Sequence, residues 1–255
     1  MDDPAADTTG RWQPSRRLRA LLYTDFHGNP ADPDDVIADA LDDGGYRERT
    51  PGLTAILQDR AADPAARLLA CCALTSWADP LGYDTVLRAA AAPADVVWRG
   101  RSADRFFGED DTFGQLADAV GASRDMVDER GTAELRIAAA RALLSLADRF
   151  QFDRHISSLL SADIVEAARH EISATVGRGI ARLTSGEHVR YDLGLQLALL
   201  VRAMSTYDEP GARDATARLT AARPGERALR ELVDRRPVKD GPASRPRTAS
   251  PSRYG

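Results

Sequence analysis

Only two cysteines occur in this chain of 255 residues, Cys71 and Cys72, and they are neighbours. Adjacent residues on a helix point about 100° apart, so this pair cannot close an unstrained disulfide. A disulfide framework is excluded, and both thiols read as small core side chains rather than as redox or metal groups. Lysine is scarcer still: Lys239 stands alone against 33 arginines. That bias resembles the codon usage of a GC-rich bacterial genome and carries no functional weight. Aromatic residues make up 6% of the chain. Alternating runs of Val, Ile, Thr and Tyr are missing, whereas Ala, Leu, Arg and Glu dominate, so helix is expected throughout. The longest apolar stretch, around Leu193 to Met204, contains Gln196 and Arg202. It falls short of the roughly 20 residues needed to span a bilayer. The opening residues MDDPAADTTG have neither the basic nor the apolar region of a signal peptide, and a cytoplasmic location is expected.

What is present is enough for a sizeable core, since 43% of the residues are hydrophobic. Charge is unevenly spread. The formal net charge is −5, yet residues 235–255 hold Arg235, Arg236, Lys239, Arg245, Arg247 and Arg253 against the single anion Asp240, which leaves −10 on the other 234 residues. An acidic body repels phosphate backbones, so nucleic acid is not the expected partner, whereas a protein with a basic surface is. Residues 236–255 are rich in Pro, Ser and Arg and cannot bury a core. They are expected to be a disordered basic tail, as residues 1–15 are expected to be a disordered leader.

Between them, residues 16–235 show repeated helix starts. Asp32-Pro33, Thr50-Pro51, Asp63-Pro64 and Asp79-Pro80 each offer a side-chain acceptor at the N-cap and a preset φ at the next position. Glu209-Pro210 is a weaker version. Further helices are expected over about 112–120, 164–183, 188–205, 211–221 and 225–233. The stretch from Pro93 to Asp111 fits neither period and reads as an irregular insertion.

The chain also repeats itself at an offset of 69 residues. Arg67 to Asp84 and Arg136 to Asp153 align without a gap and share eight of 18 positions, among them Arg67/Arg136, Ala70/Ala139, Leu74/Leu143 and Asp79/Asp148. That predicts one helical unit used twice. The pattern DPAARLLACCALTSWAD, with Asp63 at the cap and Arg67 four residues later, resembles the first helix of a HEAT repeat, and Leu81 to Ala90 its second. The resemblance covers Asp63 to Ala90 and Leu135 to Leu160. It implies an all-α fold: a short α-solenoid, or right-handed α-α superhelix, of antiparallel helix pairs.

Chemistry is sparse. Asp25-Phe26-His27-Gly28-Asn29, after the apolar Leu21, Leu22 and Tyr23, resembles the first metal-binding motif of calcineurin-like metallophosphoesterases. That likeness implies Asp25 and His27 as ligands of one ion in a two-metal site, hence a metal-dependent phosphoesterase as the alternative function. The family's later Gly-Asp, Gly-Asn-His and Gly-His-x-His motifs are missing, and His155, His170 and His188 lie in helical context. The same residues read as a Gly-Asn-Pro turn after a short helix.

The carboxylates Asp34, Asp35, Asp39, Asp42 and Asp43 resemble the Asp-rich motif of class I terpene cyclases, but a first-turn position lets Asp34 and Asp35 serve the helix dipole instead. Gly177-Arg178-Gly179 follows no strand, so it makes no nucleotide cradle. Trp12, Trp77 and Trp98 would suit the HEAT-like alkylpurine DNA glycosylases only on a basic surface, and Trp77 reads as core. With no catalytic set complete and no cofactor expected, the sequence predicts a non-enzymatic protein-binding module. An immunity protein that neutralises a basic toxin is one such case.

Overall fold

The computed structural model describes residues 12–42, 44–102 and 108–233. The first eleven residues of the expected N-terminal segment 1–15 and the whole of the expected tail 236–255 lie outside them. Among the described residues the chain is all-α, with an isolated antiparallel bridge between Thr24 and Pro30. In chain order the helices are α1 Arg16–Leu22, α2 Pro33–Asp42, α3 Tyr46–Gln58, α4 Pro64–Ser76, α5 Pro80–Ala91, α6 Thr112–Ala122, α7 Val127–Arg130 and α8 Ala133–Leu144. Then come α9 Ala162–Ala167, α10 Arg169–Thr184, α11 Leu193–Met204, α12 Glu209–Ala221 and α13 Glu226–Val233.

Most of the expected starts are used. Asp63 Oδ1 accepts from the Ala65 N–H at 2.8 Å, and Asp79 Oδ1 from the Leu81 N–H at 3.0 Å, each with proline at the first helical position. Before Pro210 the cap is Asp208, whose Oδ1 accepts from the Gly211 N–H at 2.9 Å. Thr50-Pro51 is the exception, because Pro51 lies inside α3. That helix opens earlier, with the Arg47 N–H donating to Gly44 O and the Glu48 N–H to Gly45 O. The imide nitrogen of Pro51 therefore forfeits only the bond to the Arg47 carbonyl.

Two expected helices are shorter than their patterns. The one over 164–183 breaks at Ala168, which is fully buried with φ −103 and ψ 16. Alanine carries no local signal for a break, so tertiary packing sets the bend. The one over 188–205 begins only at Leu193, where Asp192 Oδ1 caps it through the Leu195 N–H at 2.9 Å. In the insertion, Pro93–Asp95 forms a 3-10 turn, and Asp110 ties the loop together by accepting from Arg99 Nε, the Gly100 N–H and the Thr112 N–H.

The helices pack in two rows. One row runs through α4, α6, the 3-10 segment Asp153–Leu159, α11 and α13; the other runs through α5, α8, α10 and α12. The rows meet where α4 packs on α5, α6 on α8, and α11 on α10 and α12. Elements of the first row start at residues 64, 112, 153, 193 and 226, and those of the second at 80, 133, 169 and 209. α3 covers α4 at the start of the array and carries α1 and α2.

This arrangement corrects the reading of the 69-residue echo. Its two helices are α4 and α8, which stand in different rows, and no α-helix follows α8 at the position where α5 follows α4. Position 149 is arginine where position 80 is the helix-starting proline, and the chain there turns inward on Phe152, which is fully buried.

The core is mostly aliphatic, with Trp77, Tyr46, Tyr83, Phe113 and Phe152 its largest buried side chains. α11, the apolar stretch of the sequence, has eleven of its twelve residues buried, which is what an apolar helix without a polar face requires. Its one buried amide is satisfied. Gln196 Oε1 accepts from the Phe152 and Asp153 N–H groups at 2.7 and 2.9 Å, and Nε2 donates to Ala147 O and Phe150 O at 2.7 and 3.1 Å. Trp77 is core as expected, fully buried, with its indole N–H donating to Ile37 O at 2.9 Å.

Candidate functional site: an arginine-lined groove

A groove of about 2090 Å³ lies beside the start of the helical array. It is lined by the segment Trp12 to Ser15 continuing into α1, by the end of α3, the turn 59–63 and the start of α4, and by α5 with the insertion residues Asp95 to Trp98. Caps fix these pieces: Ser15 Oγ accepts from the Leu18 N–H at 3.2 Å to start α1, and Asp63 starts α4 while also accepting the Trp12 indole N–H at 2.9 Å.

Six arginines line it: Arg16, Arg17, Arg19, Arg60, Arg67 and Arg88. Against them stand three carboxylates, Asp59, Asp63 and Asp95. Two of these already serve backbone N–H groups, Asp59 at Ala61 and Asp63 at Ala65. Among the described residues, none of the six arginines is in an ion pair. Their bonds are to neutral groups: Arg19 to Gln13, Arg67 to Leu57 O and Arg88 to Thr85.

Outside the groove many arginines are in ion pairs. Arg130 bonds Asp79 at 2.6 Å, Arg136 bonds Asp163 at 2.6 Å, Arg178 grips both oxygens of Asp148, and Arg227 bonds Asp153 and Asp192. A concavity that gathers unpaired guanidinium groups holds a positive potential that an anionic group would relieve.

The residues singled out from the sequence lie elsewhere. α1 ends at Leu22, so no strand leads into Asp25. Asp25 Oδ1 accepts from the His27 N–H at 2.8 Å and the Asn29 N–H at 2.7 Å, and Oδ2 from the Asn29 amide at 3.1 Å. The Asn29 N–H, then its side-chain amide, hold the Asp25 carboxyl below its ordinary value, with the His27 N–H adding to them. Gly28, at φ +88, makes the turn possible, and the Arg49 guanidinium lies 3.9 Å over the Phe26 ring. His27 is exposed. The segment is the turn that its Gly-Asn-Pro chemistry predicts.

Asp34 and Asp35 occupy the first turn of α2, where the dipole favours them, and Asp39 follows one turn on. Asp42 ends that helix, and Asp43 lies outside the described residues. Among the described residues, no group of three or more His, Cys, Asp or Glu is disposed to hold a metal ion. Burial pushes the Cys71 thiol up to about 12 and raises Cys72 as well, so neither is a ready nucleophile. Gly177-Arg178-Gly179 is interior to α10. Trp12, 38% exposed, is on the groove, and Trp98, 4% exposed, is buried in its wall.

A tight polar cluster joins α6 to the 3-10 segment. His155 Nδ1 and Asp118 Oδ2 are 2.5 Å apart, and Ser158 Oγ donates to Asp118 Oδ1 at 2.6 Å. Serine and histidine both bond the carboxylate rather than each other, so the set is a structural clasp and not a nucleophile with its base.

Sequence reasoning singled out only Arg67 among the groove arginines, as part of a helix opening. The one local signal for the others was the cluster Arg16-Arg17-Leu18-Arg19. No protein family, curated protein or solved structure matches the chain.

Proposed function

We propose that the chain is a non-enzymatic protein-binding module built as a short HEAT-like α-solenoid and acting in the cytoplasm. The observation that carries this reading is the groove, an extended concavity whose arginines have no carboxylate partner of their own. The two-row packing supports the architecture, because elements of one row recur at about 40 residues, the period of HEAT and armadillo units. Stacked helix pairs give a long rigid surface suited to engaging another chain. The net charge of the body favours a basic surface on that partner at long range, as in an immunity protein bound to a toxin, while the groove itself calls for acidic groups.

The experiment is capture on the immobilised full chain from the cells that make it, followed by equilibrium binding of each captured protein after purification. Saturable one-to-one binding supports the module. Reproducible recovery of no protein contradicts it. The phosphoesterase alternative stands on Asp25 and His27, and hydrolysis of a generic phosphodiester that is lost in Asp25→Ala would favour it instead.

A further inference from the structure

We infer that the groove takes an extended acidic polypeptide segment that also carries apolar side chains. This rests on the reading of the chain as a protein-binding module and names the chemistry of what it binds.

Charge is the first argument. Arg16, Arg17 and Arg19 come from α1, Arg60 from the turn before α4, Arg67 from α4 and Arg88 from α5, so guanidinium groups from several elements share one groove. Each guanidinium is a planar fork that can grip a carboxylate through two parallel N–H bonds. Six arginines against three aspartates leave the lining with an excess of positive charge. Carboxylates spaced along a ligand would balance it.

Size is the second. About 2090 Å³ is well beyond the roughly 300–1,000 Å³ of a small-molecule site, and it suits a stretch of chain. Exposed apolar groups are the third. Val97 is 61% exposed and Trp12 38% exposed, and both line this groove. Few large hydrophobic side chains are exposed elsewhere among the described residues, the others being Phe26, Leu229 and Val233. Trp12 is also held by its bond to Asp63 rather than free to fold away. Apolar side chains on the ligand would cover both residues.

The same walls favour a peptide over a nucleic acid. Asp59, Asp63 and Asp95 interrupt the arginines, and an unbroken phosphate backbone would meet them as well as the acidic body. Base stacking needs exposed aromatic faces, but Trp98 is buried, so Trp12 is the one exposed ring on the groove. A peptide can set its carboxylates against arginines and neutral residues against the aspartates.

The test is fluorescence anisotropy with the full chain and four labelled probes: a peptide alternating Glu and Leu, its Gln/Leu and Lys/Leu counterparts, and single-stranded oligo-dT. Each is titrated against the native chain, against the triple variant Arg17→Glu, Arg60→Glu, Arg88→Glu, and against Arg213→Glu on α12. All three reversed groove arginines are exposed, and circular dichroism and melting confirm that the fold is kept. The Glu/Leu peptide should bind best, weaken at least about tenfold in the triple variant, weaken in high salt and be unaffected by Arg213→Glu. Equal binding of the Gln/Leu peptide, tighter binding of oligo-dT, or an unchanged affinity in the triple variant overturns the inference. If a captured protein partner still binds the triple variant at full affinity, the groove assignment falls while the module reading stands. If neither peptides nor any captured protein bind the native chain, both fall.

Discussion

Arg67 and Arg136, 69 positions apart, make the same kind of contact: each donates from Nε, at 3.2 Å, to a carbonyl near the end of an earlier helix, Leu57 O of α3 in one case and Val120 O of α6 in the other. Each stands in the first turn of its own helix, α4 or α8. The bond ties the start of one helix to the end of an earlier one, and Val120 O accepts from Ser123 Oγ as well, at 2.7 Å. What the chain repeats is therefore a helix-to-helix tie, not a whole structural unit. Arg136 goes further, since it is 2% exposed and also reaches Asp163 at 2.6 Å and Ser161 at 3.3 Å.

Arg136→Met should therefore cost more stability than Arg67→Met. Losing Arg136 removes three bonds made by a buried guanidinium, to Val120 O, Ser161 and Asp163, at about 1–3 kcal/mol, although Val120 O keeps Ser123 Oγ and Asp163 is half exposed and can turn to water. Arg67→Met loses one bond to a carbonyl and should cost about 1 kcal/mol. Urea denaturation of both variants gives the comparison, and equal losses would remove the distinction between the two ties.

Gln196→Leu tests how the turn 147–153 is held on α11. The substitution keeps the volume but deprives two N–H groups and two carbonyls of their partners, in a site where the side chain is fully buried. A loss of about 2–5 kcal/mol is expected, against less than about 1.5 kcal/mol for a volume-conserving swap at an apolar position. Thermal melting at constant protein concentration reads the difference.

The clasp between α6 and the 3-10 segment should be sensitive to pH. The hydrogen bond to Asp118 raises the His155 pKa above its ordinary 6.5 against the opposing effect of burial, with Asp118, Asp111 and Asp153 adding negative charge nearby. A raised folded-state value means that the contribution is complete below pH about 6.5 and is lost as pH climbs through the folded value. The melting gap between the native chain and His155→Gln should thus be widest near pH 5–6 and shrink above neutrality. Solvent screening of this half-exposed pair keeps it to about 1–2 °C. A gap that widens with rising pH would reverse the assignment.

Two glycines inside helices should respond in opposite directions to alanine. At Gly194 in α11 a Cβ would lie 2.0 Å from Pro224 O, whereas at Gly177 in α10 it would meet nothing within 4 Å. Alanine gains about 1 kcal/mol of helix propensity at either site. Overlap with a buried backbone carbonyl outweighs that gain, so Gly194→Ala should destabilise by about 1–3 kcal/mol while Gly177→Ala stabilises by about 0.5–1 kcal/mol.

Much of the scaffold was legible because its signals are local. Asp63-Pro64 and Asp79-Pro80 announce their helices within three residues, and the all-round apolarity of Leu193 to Met204 announces a buried one. Asp25 to Asn29 read as a turn with a metal motif as the alternative, and the bonds within the segment form that turn. Ala168 gave no warning of the break between α9 and α10, since burial imposes it. The groove was illegible for a different reason. Its residues come from segments near 12–19, 56–67, 81–92 and 95–98, and what marks it is the gathering of arginines that are in no ion pair, a property of space rather than of order along the chain.

Hydrogen–deuterium exchange of the full chain, free and bound to a captured and purified partner, tests the central claim most directly. If the groove is the binding face, slowed exchange should concentrate in residues 12–19, 56–67 and 81–98, with α12 and α13 unchanged. Protection confined to the opposite end of the helical array, with the groove exchanging as in the free chain, would contradict the account.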